Sequence, residues 1–131
     1  MSDALEQGYI KQEFNDGVAT IEFFHPLSNS LPSRLLAQLA DAIREAGQDE
    51  VVKVILLRSA GERAFCAGAS FDELISIQDL DQGKKFFSGF ANVINAMREC
   101  PKFIVGRVHG KAVGGAVGLA SAVDYCFATK H

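Results

Sequence analysis

The sequence predicts an α/β layered fold in which the strands of a largely parallel sheet alternate with helices. After a leading hairpin, apolar runs typical of strands are separated by segments whose apolar residues recur every 3.6 residues. The run from Val51 to Leu57 is the clearest buried strand, because six of its seven residues are apolar. A length of 131 residues fits one domain or one part of a larger domain.

The N-terminal elements are predicted to form a β-hairpin. Residues Tyr9 to Phe14 alternate in polarity well enough to be a strand, and Val18 to Phe24 is the partner strand. Asp16-Gly17 lies between them and is typical of a two-residue hairpin turn. A loop from His25 to Ser30 then leads to the first helix.

The first helix is predicted from Pro32 to about Ala46, with Gly47 as its C-terminal stop. Proline suits the first turn, because the amide hydrogen that it lacks has no partner there in any helix. The apolar face of this helix has helical spacing and consists of Leu35, Leu36, Leu39, Ala40 and Ile43.

The later segments continue the alternation of helix and strand. They are a short helix over 71–77, a longer helix over 80–98, a strand over 103–108, a helix over 114–122 and a strand over 123–129. Pro101 ends the longer helix. The residues of that helix predicted to face inward are Phe86, Phe87, Phe90, Val93, Ile94 and Met97. Because the last strand ends the chain, we expect a truncated domain.

Composition and charge disfavour several classes of function. A net charge of −3 argues against a nucleic-acid binder, which usually carries a basic face. The N-terminus lacks a signal-peptide pattern, and the apolar stretch from Ala112 to Val123 is too short and glycine-rich to span a membrane. The three cysteines and three histidines lack metal-ligand spacing. We therefore expect no metal, no membrane association and a reducing, cytoplasmic location.

Two glycine patterns fail as phosphate-binding motifs. Only three residues separate Gly106 from Gly110, whereas a P-loop needs four. The segment Gly114-Gly115-Ala116-Val117-Gly118 does not match G-x-G-x-x-G, and no acidic residue follows at the required distance. A nucleotide-phosphate binder is therefore disfavoured.

Two turns built from small residues are the main candidates for a functional site. They are Arg63-Ala64-Phe65-Cys66-Ala67-Gly68-Ala69-Ser70-Phe71 and His109-Gly110-Lys111-Ala112-Val113-Gly114-Gly115-Ala116-Val117-Gly118-Leu119. Each follows a predicted strand and leads into a predicted helix. Small residues let a ligand approach the main chain. Two N–H groups from two such turns can converge on one oxygen, as in an oxyanion hole.

Several polar residues near these turns have two interpretations each. Cys66 is a catalytic thiol or a small packing residue, and His109 is a general base or a turn residue; the structural role is favoured for both. Asp72 and Glu73 suit the positive end of a short helix. Asp124 is expected to make a structural hydrogen bond.

The first turn resembles the K/R-A-F-C/S-A-G-A/G-D-L segment of the crotonase family, the enoyl-CoA hydratase/isomerase superfamily. The second resembles that family's N/H-G-x-A-x-G-G-G-x-x-L-A-x-x-x-D segment. The resemblance extends from about Tyr9 to His131. It implies an α/β, crotonase-like (ClpP/crotonase) spiral of repeated ββα units. Residues 1–131 would be the N-terminal half of this acyl-CoA-binding domain.

The resemblance also implies a substrate and a set of site residues. The substrate would be an acyl-CoA thioester, so coenzyme A enters with the substrate and no separate cofactor is expected. The family's two oxyanion N–H positions fall on Ala69 and Gly115, which would be the catalytic residues. The substrate-binding candidates that the resemblance implies are Arg63 for the CoA phosphates and Ala67 and Gly68 for the adenine and pantetheine arm. Phe71 is a further candidate, as part of an apolar acyl pocket, although its helical spacing favours core packing. Homo-oligomers, as trimers or hexamers, are expected of the full-length form.

The sequence departs from the family pattern at three positions. Gly118 stands where hydratases of the family carry a glutamate that activates water, Ser70 replaces an aspartate, and Ala116 replaces a glycine. The family's second acid/base residue lies beyond residue 131. Isomerase-like chemistry is therefore favoured over hydration. The alternative is a non-catalytic acyl-CoA-binding or subunit-interaction module.

Overall fold

The computed structural model describes residues 2–130, and the side chains of residues 5–130. The elements are α1 (Ser2–Gln7), β1 (Tyr9–Asn15), β2 (Val18–Phe24), α2 (Ser33–Gln48), β3 (Val54–Ser59), α3 (Phe71–Ser76), α4 (Leu80–Glu99), β4 (Phe103–Val108), α5 (Gly115–Ser121) and β5 (Tyr125–Ala128). The strands form one sheet in the order β1-β2-β3-β4-β5. Strands β1 and β2 are antiparallel, and the remaining neighbours are parallel. The predicted α/β fold with a largely parallel sheet is confirmed.

The N-terminal hairpin forms as the sequence predicts, but the next strand starts later. Asp16 and Gly17 both have positive φ, at 50° and 81°, which a tight hairpin turn between twisted strands requires. Strand β3 begins at Val54 rather than Val51. The residues before it form a turn in which the N–H of Val52 donates to the carbonyl oxygen of Asp49 at 3.1 Å. The helix α1 was not predicted.

The apolar face of α2 is buried as predicted, but the helix does not stop at Gly47. Helix α2 continues to Gln48, and Gly47 is buried within it. A β-carbon on Gly47 would lie 3.1 Å from Sγ of Cys100 and 3.3 Å from Cδ of Pro101. The glycine therefore allows a close helix contact and does not act as a cap.

Helix α4 packs on α2 and covers the core with a narrower face than the sequence predicts. Phe86, Val93 and Met97 are buried. Phe87 is 71% exposed, so its predicted inward orientation is wrong. It lies one residue beyond Phe86, which is about 100° around the helix and outside the buried stripe.

A three-part unit recurs along the parallel part of the sheet. Strands β2, β3 and β4 are each followed by a short extended segment and then by a helix. The extended segments bridge one another in parallel, through Leu31 with Ala69 and Cys66 with Ala112. They therefore stack in the same order as the strands, which agrees with the spiral of ββα units that the family resemblance implies.

The contact at Gly47 gives a stability prediction. We expect Gly47→Leu to lower the free energy of unfolding by about 1–3 kcal/mol, because the added side chain overpacks the contact with Cys100 and Pro101. Gly83→Leu on α4 is the matched control, because a β-carbon there would lie 3.7 Å from Ile77 Cγ2. Urea denaturation of both variants measures the difference. Equal stability of the two would contradict the overpacking argument.

Candidate functional site

The two small-residue turns lie side by side beyond the carboxyl ends of β3 and β4. The N–H groups of Phe65 and Cys66 donate to the carbonyl oxygen of Lys111 at 2.9 and 3.2 Å. In return, the N–H of Val113 donates to the carbonyl oxygen of Cys66 at 3.1 Å. These three hydrogen bonds form a short parallel pairing between the turns.

The close approach of the turns depends on two glycines. A β-carbon on Gly68 would lie 3.0 Å from the carbonyl oxygen of Val113 and 4.0 Å from Cα of Gly114. Gly68 also has φ of 95°, in the region that favours glycine. At Gly110, any β-carbon would collide with the carbonyl oxygen of Arg63. Larger residues at these positions would separate the turns.

Ala69 and Gly115 occupy matching positions in the register of the pairing. Cys66 bridges Ala112, and the two candidate oxyanion donors each lie three residues further along the chain. Neither the N–H of Ala69 nor that of Gly115 donates a hydrogen bond to another described residue. Gly115 is the first residue of α5, where backbone N–H groups lack an intrahelical partner. Two unpaired donors therefore belong to neighbouring turns.

Three of the four predicted substrate-binding residues, Arg63, Ala67 and Phe71, line two adjoining clefts. One cleft of about 360 Å³ is lined by Leu27, Ser28, Ser30, Ala67, Ala69, Phe71 and Asp72. The other, of about 400 Å³, includes Arg63, with His25, Pro26, Asn29 and Glu62 among its lining residues. Both clefts share Ser28, whose carbonyl oxygen accepts the N–H of Ala67 at 3.1 Å. Gly68 is buried beneath this surface, and Gly115 is exposed in the adjacent turn.

Asn29 connects the loop after β2 to the loop after β3. Its Oδ1 accepts the N–H of His25 at 2.8 Å, and its Nδ2 donates to the carbonyl oxygens of Ala60 and Ala64 at 2.8 and 3.0 Å. The side chain is buried, and φ is 59°, a conformation that asparagine tolerates better than most residues. The sequence placed Asn29 in a loop but gave no sign of this anchoring role.

His25 is held as a neutral imidazole beside Asn29. Its Nδ1 accepts the N–H of Leu27 at 3.1 Å. Burial, together with the nearby charge of Arg34, lowers the pKa of His25 below its ordinary value, although Asp72 acts in the opposite direction. The neutral form preserves the acceptor and hence the shape of the loop that lines the Arg63 cleft.

The two acidic residues after the first turn, Asp72 and Glu73, have different roles. Ser70 caps α3 by accepting the N–H of Glu73 at 3.2 Å. The Glu73 carboxylate accepts the N–H of Ser33 at 2.8 Å and so caps the start of α2. Asp72 lines the cleft that contains Ala69. The sequence predicted the helix-end positions but not the contact between α3 and α2.

Cys66 and Asp124 have structural roles, and His109 lies outside the two clefts described above. Burial raises the pKa of the Cys66 thiol to about 11, so the side chain is a neutral packing group at neutral pH. Asp124 makes the expected structural hydrogen bond, accepting the N–H of Ile104 at 2.7 Å. His109 lines a different cleft, with Phe127 and Thr129, and its ring nitrogens lack partners among the described residues.

Among the side chains described, those of residues 5–130, no group of three or more histidine, cysteine or acidic residues is positioned to hold a metal ion. No helix within residues 2–130 has the length and apolar character needed to cross a membrane. The sequence prediction for His131 lies outside the described residues.

Residues 13–131 match the sequence model of a family described as enoyl-CoA hydratase/isomerase. The chain belongs to the enoyl-CoA hydratase/isomerase family. Its fold matches that of the enoyl-CoA hydratase of Mycobacterium smegmatis, with a TM-score of 0.84 and 29% identity. The match covers 91% of this chain and 47% of that one. The crotonase fold that the sequence motifs predict is therefore confirmed.

Sequence relatives within the family carry different activities. The (7aS)-7a-methyl-1,5-dioxo-2,3,5,6,7,7a-hexahydro-1H-indene-carboxyl-CoA hydrolase of Rhodococcus jostii is 32% identical, with 87% of this chain and 44% of the relative covered. The mitochondrial methylglutaconyl-CoA hydratase of Mus musculus is 30% identical, with 93% and 38% covered. The chain therefore spans less than half the length of either relative.

The hydrogen bonds of Asn29 give the second prediction. We expect Asn29→Ala to lower the free energy of unfolding by about 3 kcal/mol, because three hydrogen bonds are lost and buried backbone groups lose their partners. Asn95→Ala, at an exposed position on α4, is the control and should change little. Chemical denaturation measures both. A loss below about 1 kcal/mol for Asn29→Ala would rule out its anchoring role.

The third prediction concerns pH and His25. Since the folded-state pKa is lowered, the unfolded chain binds the proton first as pH falls below about 6.5, and stability should decrease there. His25→Asn keeps an acceptor for the N–H of Leu27 but does not titrate. We expect this variant to lose less stability than the wild type between pH 7 and pH 5 in thermal unfolding. The same pH dependence in both proteins would exclude His25 as the cause.

Proposed function

We propose that this protein binds acyl-CoA thioesters and stabilises a thioester enolate through the N–H groups of Ala69 and Gly115. The observation that carries this proposal is the pair of unpaired donors on two hydrogen-bonded turns. An enolate oxygen gains negative charge as it forms, and fixed donors aimed at it lower the barrier without having to reorganise. Membership of the enoyl-CoA hydratase/isomerase family supports this chemistry.

The order of the clefts supports a path for the coenzyme A arm. Arg63 is exposed in one cleft and supplies a positive charge for phosphate groups. Ser28 lines both this cleft and the one that contains Ala69 and Phe71, and its carbonyl oxygen accepts the N–H of Ala67. An extended thioester would therefore run from Arg63 past Ser28 to the oxyanion donors. The exposed ring of Phe71 would contact the acyl end.

Isomerase-like chemistry is proposed in preference to hydration. Gly118 offers no side chain to activate water, and the Glu73 carboxylate is engaged by the N–H of Ser33. Asp72 is the carboxylate that lines the Ala69 cleft. One carboxylate is enough to move a proton between carbons of an enolate, whereas hydration by the two-glutamate route needs two.

A binding module without turnover is the second candidate, and Gly118 is the observation that favours it. A protein with both donors but no paired acid and base would hold a thioester without converting it. The activities in the names of the relatives belong to chains of which the match with this one covers less than half. Binding of butyryl-CoA without proton exchange or product formation would favour this candidate.

Assembly and location are also proposals. The family resemblance supports a trimer or a hexamer for the full-length form. The free cysteines Cys66, Cys100 and Cys126 support a reducing cytoplasmic environment. Coenzyme A is proposed to enter as part of the substrate, with no further cofactor.

The fourth prediction tests the oxyanion donor at position 115. Gly115→Pro removes the N–H at the first position of α5, where proline suits a helix. Gly115→Ala adds the same β-carbon but keeps the N–H, so it is the matched control. We expect Gly115→Pro to exchange the α-protons of butyryl-CoA in D₂O at about 10²–10³-fold lower rate than Gly115→Ala, as measured by mass spectrometry. Equal exchange rates in the two variants would exclude the donor role.

Deuterium exchange into thioesters by the wild-type protein also distinguishes the isomerase-like function from the binding module. A panel of 2-enoyl, 3-enoyl and 4-chlorobenzoyl thioesters in D₂O would identify the substrate class by deuterium uptake or mass change. Uptake in the enoyl thioesters without gain of water supports the isomerase-like function. Bound thioesters that stay unchanged would identify a binding module.

A further inference from the structure

The direction of the Ala69 N–H is fixed through the carbonyl group of the same peptide unit. The N–H of Ala69 and the carbonyl of Gly68 belong to one planar trans peptide, so they point in opposite directions. The carbonyl oxygen of Gly68 accepts the N–H of Leu31 at 2.8 Å. The Ala69 N–H therefore points away from Leu31, and rotation of this peptide unit would break that hydrogen bond.

The two candidate oxyanion donors differ in what orients their peptide units. The carbonyl oxygen of Gly114, in the peptide unit of the Gly115 N–H, accepts the N–H of Val117 at 3.1 Å. This donor is thus oriented by its own helix, α5. The Ala69 N–H depends instead on Leu31, which belongs to the segment between β2 and α2.

A second hydrogen bond closes a clamp around the contact between Leu31 and Gly68. The Glu73 carboxylate accepts the N–H of Ser33 at 2.8 Å. Ser33 follows Leu31 by two residues, so the two chain segments are joined both before and after Ala69. The clamp consists of these two hydrogen bonds, and Ala69 lies between them along the chain.

The local structure on both sides places Glu73 for this contact. Its own N–H donates to Oγ of Ser70 at 3.2 Å, which fixes the first turn of α3. On the other side, Pro32 is the N-cap of α2 and makes no side-chain hydrogen bond. Glu73 therefore satisfies one of the N–H groups that lack a partner at the start of α2, where the helix dipole favours a negative charge.

We propose that Glu73 is a positioning residue for the oxyanion site, because the clamp that it closes aims the Ala69 N–H. The proposal rests on the proposed function, since it assumes that this N–H binds a thioester oxygen. Glu73 acts through the backbone and not on the substrate. Without the clamp, the peptide unit between Gly68 and Ala69 is free to rotate. The enolate then loses one donor for part of the time, while the coenzyme A arm stays bound.

Two pairs of variants test the clamp from its two sides. Glu73→Ala removes the acceptor, whereas Glu73→Gln keeps an oxygen for the Ser33 N–H. Ser33→Pro removes that N–H at a helix position that suits proline, and Pro32 already has the extended ψ of 160° that a following proline requires. Ser33→Ala keeps the N–H and removes only an Oγ that has no partner among the described residues.

The measurement is α-proton exchange of saturating butyryl-CoA in D₂O, followed by mass spectrometry. We expect about tenfold slower exchange in Glu73→Ala than in Glu73→Gln, and in Ser33→Pro than in Ser33→Ala, because the oxyanion loses part of one donor. The dissociation constant of butyryl-CoA should change by less than about twofold. Equal exchange rates within either pair, whether fast or slow, would overturn the positioning role.

Asp79→Ala controls for a general loss of stability. The Asp79 side chain caps α4 by accepting the N–H of Gln82 at 2.8 Å, and it takes no part in the clamp. We expect this variant to lower the melting temperature by a few °C and to leave the exchange rate unchanged. Slowing as large as that of Glu73→Ala would overturn the proposal, because lost stability would then explain both results.

Amide hydrogen exchange measured by NMR distinguishes failure of this proposal from failure of the proposed function. We expect the Leu31 N–H to exchange at least tenfold faster in Glu73→Ala than in Glu73→Gln, because its hydrogen bond to Gly68 opens more often. Equal protection in the two variants would overturn the clamp. If the wild type does not bind butyryl-CoA, the proposed function fails, and the Leu31 measurement, which needs no ligand, then decides on the clamp by itself.

Discussion

The candidate site depends on the parallel hydrogen-bonded pairing between the two small-residue turns. Cys66 bonds to the backbone on both sides of Ala112, and this fixes the register of everything that follows in each turn. Because β3 and β4 are parallel neighbours, their carboxyl ends emerge at the same edge of the sheet. The turns meet there, and Gly68 and Gly110 let their backbones touch. Ala69 and Gly115 therefore occupy matching positions, each three residues after the bridge between Cys66 and Ala112.

Polar side chains anchor the loops that carry the site. Asn29 connects the loop after β2 to the loop after β3, and Glu73 connects α3 to the start of α2. Both contacts join segments at least 31 residues apart in sequence. Such hydrogen bonds hold exposed loops in one conformation, and a binding surface made of backbone groups needs that rigidity.

The proposed oxyanion donors belong to the backbone and not to side chains. The N–H groups of Ala69 and Gly115 are present whatever side chains surround them, so the proposed enolate stabilisation would not depend on a particular acid or base. Among the described residues, Asp72 is the carboxylate that lines the cleft containing Ala69.

The sequence by itself determined the order and type of most elements and the two turns, because these depend on local features. Apolar periodicity, Asp16-Gly17 in the hairpin and Pro101 after α4 all act within a few residues. Tertiary structure decided the rest. Glycine is a residue type that often ends a helix, yet Gly47 lies inside α2 because Cys100 and Pro101 pack against it. Phe87 has the hydrophobicity of a core residue, yet it is exposed because α2 covers a different stripe of α4.

The same division applies to the site. Local sequence marks where small residues permit close backbone approach, and the family motifs indicate Ala69 and Gly115. The roles of Asn29 and Glu73 come from hydrogen bonds to residues 31 to 40 positions away, which no local pattern specifies. Motifs therefore suggested the two candidate donors, whereas the packing of strands and helices decided which groups surround the two turns.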